Sequence, residues 1–241
     1  MILLYDGSYY GFLSCIHEHY YGRKATEIFP KALFQGSIVD EAYDVITDEE
    51  KAAKVEKALS EKFSMIGYLD MYRCFLSNDM NKDTWNLKYI QKGFKIGEKL
   101  DRLYSDPDVI HIRKLSRQVG FEGHRFKGIL RFEERNGFLY ARFEPDHDIS
   151  ELIADHFADR FLNEQIIIHD LKRHKAVLAK GGKWIITEVT PNSNIHDLSQ
   201  INLTQEEELL QNLWKGYFEH IGIEGRKNPK LQQNFVPLKY R

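Results

Sequence analysis

The spacing of apolar residues changes along this chain, and that change limits its fold more than any single motif does. Up to about residue 121 apolar side chains recur mainly at intervals of three and four, which lines them along one face of an α-helix. From Arg125 the interval shortens to two: Phe126, Leu130 and Phe132 alternate with Lys127 and Arg131, the pattern of a strand with one buried face. A chain built this way is α+β. The expectation is a single α+β domain over residues 1–241, in which a helix-rich N-terminal half (residues 1–121) packs with a mainly antiparallel β-sheet in the C-terminal half (residues 122–241), and a long C-terminal helix.

Local signals divide the chain further. Ile2 to Tyr5 reads as a short strand, Asp6-Gly7-Ser8 as a turn, and Tyr9 to Tyr20 as a helix carrying Phe12, Leu13, Ile16 and Tyr20 at helical spacing. A lone glycine in that turn lacks the repeated close backbone approach of G-x-G-x-x-G and the lysine of a P-loop, so no nucleotide site is expected there. Thr47-Asp48-Glu49-Glu50 forms a capping box before a helix whose inward stripe is Ala52, Val55, Leu59 and Phe63. More helix follows to about Tyr104. Ser105-Asp106-Pro107-Asp108 opens another, with Ser105 as the cap and Val109, Ile112, Leu115 and Val119 on one face. Arg113, Lys114 and Arg117 fall on the other face, either as a solvated surface or as an anion-binding one.

Asn136-Gly137 marks a type I′ turn before Phe138 to Glu144. A two-residue loop fixes register, so Phe132 faces Ala141, Leu130 faces Phe143, and Arg131 faces Arg142. Two guanidinium groups set opposite each other are unfavourable unless something neutralises them. Glu133 and Glu144 lie diagonal to the pair and supply one answer; a bound phosphate, which paired arginines clamp well, supplies the other. Next comes a helix from Ile149 to about Leu162 with Asp148 as N-cap, then strands at Ile166 to Ile168, Ala176 to Ala179 and Trp184 to Val189, the last two joined by Gly181-Gly182. Thr204-Gln205-Glu206-Glu207 caps the final helix, where Leu209, Leu210, Leu213, Trp214, Tyr217 and Phe218 form an apolar stripe that needs a docking surface, expected to be the sheet.

Composition narrows the class of function. The net charge of −2 rules out a uniformly positive field, but acid collects between Asp40 and Glu61 while base collects in 113–135 and 226–241. Cys15 and Cys74 are the only cysteines, which excludes a disulfide framework and a four-cysteine metal site. No apolar run approaches the ~20 residues of a membrane span, and the start lacks a basic segment before a long apolar stretch, so a cytoplasmic protein without membrane association is expected. No metal or cofactor is expected. The pairs within His17-Glu18-His19 point apart on a helix, and Cys15 with His19 makes two ligands at most.

Two groups of residues carry chemistry. Around the helix after the hairpin, Ile149, Leu152, Ile153 and Phe157 define an inward face, and His156 and Arg160 fall within the same sector. With Glu144, Asp146 and His147 nearby they read either as an ion-paired core or as a catalytic group with a carboxylate or imidazole as general base. The second group is basic: Arg113, Lys114, Arg117, Arg125, Lys127, Arg131 and Arg142, with Arg226, Lys227 and Lys230 in a tail that mixes bases, amides and aromatics. Such a mixture suits phosphate contacts and stacking on a splayed base.

Four segments, YDGSYYGFLSCIHEHY (5–20), HRFKGILRF (124–132), FEPDHDISELIADHFADRF (143–161) and RKNPKLQQNFVPLKYR (226–241), together resemble a bacterial family of unknown function, DUF4130-like, described as DNA metabolism or repair proteins. The resemblance implies a DNA-linked role beside a radical-SAM protein of DNA modification or repair, and in some relatives fusion to a uracil-DNA-glycosylase-like domain. It brings no catalytic residues to carry over. The chain lacks the cysteine cluster of a radical-SAM iron–sulfur centre, so that chemistry would belong to the partner. The leading expectation is a DNA-binding accessory of a repair or modification enzyme. The alternatives are an enzyme acting on a nucleobase or phosphodiester, and a protein-interaction module that uses the acidic segment near Asp48 or the C-terminal helix.

Overall fold

Ile2–Tyr5 forms strand β1 with all four side chains buried, the pattern of a strand covered on both faces. In the computed structural model, which describes residues 1–36, 41–135 and 137–190 and the helical Glu207, Leu209, Leu210, Asn212 and Leu213, β1 is the middle strand of a three-stranded parallel sheet. It lies between β2 (Glu27–Pro30) and β3 (Ala42–Asp44). The described residues thus make an α+β fold of six α-helices and two sheets. They divide into two compact units, Met1–Gly120 and Phe121–Arg241.

In unit 1, Gly7 turns the chain at φ 90°, a backbone conformation open to glycine. Helix α1 (Tyr9–Tyr21) then starts on Ser8, whose Oγ accepts the Gly11 N–H at 2.9 Å. Asp6 fixes this turn by accepting from the Ser8 hydroxyl and from Thr47 Oγ1. Thr47 is therefore occupied, and the cap of α2 (Glu49–Lys62) falls one residue later than expected: Asp48 accepts the Lys51 N–H. Ala52, Val55, Leu59 and Phe63 are buried, as their spacing requires.

Helices α3 (Met65–Phe75) and α4 (Lys82–Ile96) and a 3-10 turn (Gly97–Arg102) follow. Helix α5 (Pro107–Ile129) begins on Asp106, whose carboxylate accepts the N–H groups of Asp108 and Val109. Asp106, not Ser105, is its cap, because a carboxylate at that position reaches two of the unsatisfied N–H groups at once. Val109, Ile112, Leu115 and Val119 form its buried face. The start of α4 inserts polar groups into the unit's core. Asp83 is fully buried and accepts a 2.8 Å bond from the Tyr5 hydroxyl. Asn86, one turn on, has an equally buried amide without a hydrogen-bond partner among the described residues.

Unit 2 departs from the hairpin expectation in extent but not in register. Residues Arg125 to Ile129 continue α5 as helix and are not strand. The chain then runs without regular structure through 130–132, and β4 covers only Glu133–Arg135. Its pairing with β5 (Phe138–Phe143) sets Glu133 opposite Tyr140 and Arg135 opposite Phe138, the frame that the two-residue loop demands. Phe132, Arg131 and Leu130 lie just beyond the ladder. Gly137 has φ 78°; Asn136 lies outside the described residues.

Helix α6 (Ser150–Arg160) carries the chain from β5 to the parallel strand β6 (Gln165–Asp170), and β7 (Lys175–Lys180) and β8 (Lys183–Glu188) add antiparallel neighbours. The sheet order is β4-β5-β6-β7-β8, mainly antiparallel with one β-α-β crossover. Trp184 donates its indole N–H to Asp155 of α6. Asp148 is not the cap of α6, which starts at Ile149 without a side-chain cap; its carboxylate is taken by Lys175 at 2.6 Å. The expected long C-terminal helix lies outside the described residues except for the five helical positions named above, where Leu209, Leu210 and Leu213 are exposed.

Candidate nucleic-acid interface

The sharpest sequence expectation concerned Arg131 and Arg142, and the structure brings both to one recess in unit 2. It has a volume of about 370 Å³ and is lined by the end of α5, the segment 130–131, β4, β5 and Leu171. Phe126 and Phe143 meet edge to face at 5.1 Å and make its apolar wall. Arg131, Arg142 and Glu144 are exposed, and Glu133 is half-buried.

The charge balance differs from the diagonal arrangement that the sequence implied. Glu133 accepts a 2.7 Å bond from Arg135, a buried side chain whose guanidinium also lies over the Tyr140 ring. Glu133 and Arg135 are two residues apart on one strand, so period-two spacing places them on the same face, and that signal was readable in the sequence. Glu144 lines the same recess as the two arginines. Arg142 forms no ion pair with a described residue. Its neighbour across the parallel pair is His169, a buried ring whose Nδ1 meets the Tyr140 hydroxyl at 2.8 Å. Sequence reasoning did not single out Arg135, Tyr140 or His169. Burial raises the Tyr140 phenol above its ordinary value, against the pull of Arg135 and Arg142.

The remaining basic candidates have mixed placements. Arg113 does not belong to an outward basic face: it is half-buried in unit 1, donates to the Asp101 carbonyl at 2.7 Å and lies 3.7 Å from Asp70. Lys114, Arg117 and Arg125 are exposed on α5, and Lys127 is half-buried there. Arg226, Lys227 and Lys230 lie outside the described residues.

The residues considered for catalysis have mixed placements. Glu144 lines the arginine recess, and none of its four companions does. Asp146 and His147 sit in a turn pinned by its backbone, for Glu122 accepts both N–H groups and Arg173 donates to the Asp146 carbonyl. The His147 side chain is buried. His156 is half-buried, with an Nε2 that has no hydrogen-bond partner among the described residues. Arg160, expected to point at the sheet, is exposed and lies 5.8 Å from the Phe161 ring centre; Ala154 and Ala158 take the buried positions instead. Among the described residues no three His, Cys, Asp or Glu side chains form a group able to hold a metal ion.

A family model described as a domain of unknown function, DUF4130, matches residues 80–241. The chain belongs to the DUF4130 family. No protein with a curated description matches it. The DUF4130 span starts just before α4 and takes in all of unit 2, so both recess arginines fall inside it, whereas β1, α1 and α2 precede it. Among the described residues of this DUF4130 chain, no helix is long and apolar enough to cross a membrane.

Proposed function

We propose that the chain binds DNA through the unit 2 recess, as an accessory of a repair or modification enzyme. The observation that carries this reading is that Arg131 and Arg142, both exposed, line one recess beside aromatic rings. Guanidinium groups suit phosphate oxygens because their planar fork offers two parallel N–H donors. Arg125 adds an exposed charge at the end of α5 in the same unit. The association with a radical-SAM partner comes from the family resemblance, and such a partner would supply the iron–sulfur chemistry for which this chain has no cysteine cluster.

Fluorescence anisotropy of labelled single- and double-stranded oligonucleotides tests the reading. Binding at low salt should weaken steeply as salt rises. Arg131→Gln and Arg142→Gln should each weaken it and lower the salt slope by about one. Melting temperature should hold for Arg142→Gln, because exposed substitutions away from special features stay within roughly 0.5 kcal/mol. Absence of binding at micromolar protein, or a stability loss with binding intact, would sink the proposal.

A further inference from the structure

Unit 1 carries a second recess that the DNA-binding reading does not use. Its volume is about 520 Å³, and α1, α2 and Phe94 of α4 line it, a size within the range of ~300–1,000 Å³ common to small-molecule sites. Val55 and Ile16 give it an apolar floor. Its rim is aromatic. His17 and Tyr21, one helical turn apart, stack at 4.6 Å between ring centres, and Tyr21 is 81% exposed. Tyr20 is held in place by Phe94, against which its ring packs edge to face at 5.4 Å. Tyr21, 81% exposed and stacked on His17 on one side, leaves its other ring face open.

The opposite wall is cationic. Lys54 and Lys62 of α2 line the recess, and neither forms an ion pair with a described residue. The carboxylate on that wall, Glu61, faces Lys57 at 3.9 Å. Burial, followed by the neighbouring Lys51 and Lys54, holds the His17 imidazole below its ordinary value, so the cationic groups of the site are Lys54 and Lys62, with Glu61 turned to Lys57.

From the open Tyr21 ring face on one side and the ammonium groups of Lys54 and Lys62 on the other, we infer that this recess binds a nucleotide unit, base against Tyr21 and phosphate against Lys54 and Lys62. Stacking tolerates any base, because every base has a π-face, and ammonium groups act on phosphate as point charges. The residues lining the recess include no asparagine or glutamine to read base edges, so discrimination among bases is expected to be weak. The same chemistry is presented by a free nucleoside monophosphate and by an unpaired residue of a single strand.

Calorimetric titration of the full chain with adenosine 5′-monophosphate, adenosine, inorganic phosphate and a short oligo-dA separates the cases, run in parallel on Tyr21→Ala and Lys54→Gln. The expected result is that the monophosphate binds more tightly than adenosine or phosphate alone, and that Tyr21→Ala weakens it roughly fivefold or more. Lys54→Gln should flatten its salt dependence. If oligo-dA binds through the same residues and the monophosphate does not, the source is a single strand; the reverse assigns a free nucleotide. Repeating the titrations on Arg142→Gln keeps the two recesses apart, since loss of duplex binding there with the Tyr21-dependent signal intact concerns only the unit 2 recess. No binding of either probe, or binding unchanged in both Tyr21→Ala and Lys54→Gln, overturns the inference.

Discussion

Asp83 in unit 1 and Asp170 in unit 2 are both fully buried carboxylates, and their surroundings are opposites. Asp170 accepts the backbone N–H groups of Lys172 and Arg173 on one oxygen and the Arg173 guanidinium, at 2.9 Å, on the other. Among the described residues Asp83 has one hydrogen-bond partner, the neutral Tyr5 hydroxyl, and its second oxygen has none. Burial raises both above the ordinary carboxylate value, but Arg173 pulls Asp170 back, whereas Asp83 is pushed up to about 6 with Lys82 and Tyr5 as the opposing influences. One charge organises its unit, and the other is tolerated by its unit.

Three measurements would break or sharpen that contrast. The largest effect should come from Asp170→Ala, which leaves the Arg173 guanidinium without its carboxylate and opens the turn between β6 and β7. Urea denaturation should show a loss of about 3–5 kcal/mol; a loss under about 1 kcal/mol would mean that the pair contributes little beyond its own desolvation cost.

Asp83 should show itself through pH. Its folded pKa of about 6 lies above the ordinary aspartate value of 3.8, so the folded state holds the proton more tightly than the unfolded chain. Its contribution is therefore fully favourable below about pH 4 and is lost as pH rises through about 6, a change of up to roughly 3 kcal/mol. Asp6 and Asp106, held low mainly by hydrogen bonds despite some burial, work in the opposite direction, so the comparison has to be wild type against Asp83→Asn. The variant's advantage should grow between pH 4 and 7. A difference that stays flat with pH would remove Asp83 as the titrating group.

The smallest effects concern packing. A Cβ at Gly93 in α4 would lie 2.0 Å from the Phe63 ring, while one at Gly128 in α5 would meet nothing within 4 Å. Gly93→Ala should cost about 1–3 kcal/mol through overpacking, and Gly128→Ala should gain up to about 1 kcal/mol from helix propensity. Equal signs in thermal melts would show that the two helices are not packed as differently as their glycines indicate.

Legibility in the sequence followed the range of the forces involved. Strand β1, helix α1, the stripes of α2 and α5 and strands β6 to β8 were readable because each is set by local periodicity. Strands β2 and β3 were not: they are four and three residues long, and they pair in parallel with a strand remote in sequence, with no hairpin turn to announce them. The segment His124 to Leu130 satisfies both periods, since Phe126, Ile129 and Leu130 fit a helix while Phe126, Gly128 and Leu130 fit a strand. Extending α5 adds a backbone bond for each residue fixed, whereas a new strand has first to find its partner, and the helix prevails up to Ile129.

The nearness of the two arginines was legible because a two-residue turn fixes the frame from Glu133 to Arg135, and Arg131 and Arg142, beyond that ladder, line one recess. The exposure of Arg160 was not, because helical spacing gives an azimuth and not a depth. Arg160 shares a sector with Phe157, yet it sits at the last residue of α6, where a long side chain swings out to water.

The sheet of unit 2 has two unequal borders. β4 is three residues long, too short to offer much to another chain, but β8 is six residues long and has no outer neighbour among the described residues. Among the described residues its outward N–H and C=O groups are unpaired and Ile185 is 63% exposed, features that in an edge strand let an extended segment continue a sheet. Lys183 and Glu188 close the two ends of that row. Opposite charges at the ends of an open border repel a copy laid alongside in the same direction and attract one laid head to tail, so the border carries a preference for antiparallel addition.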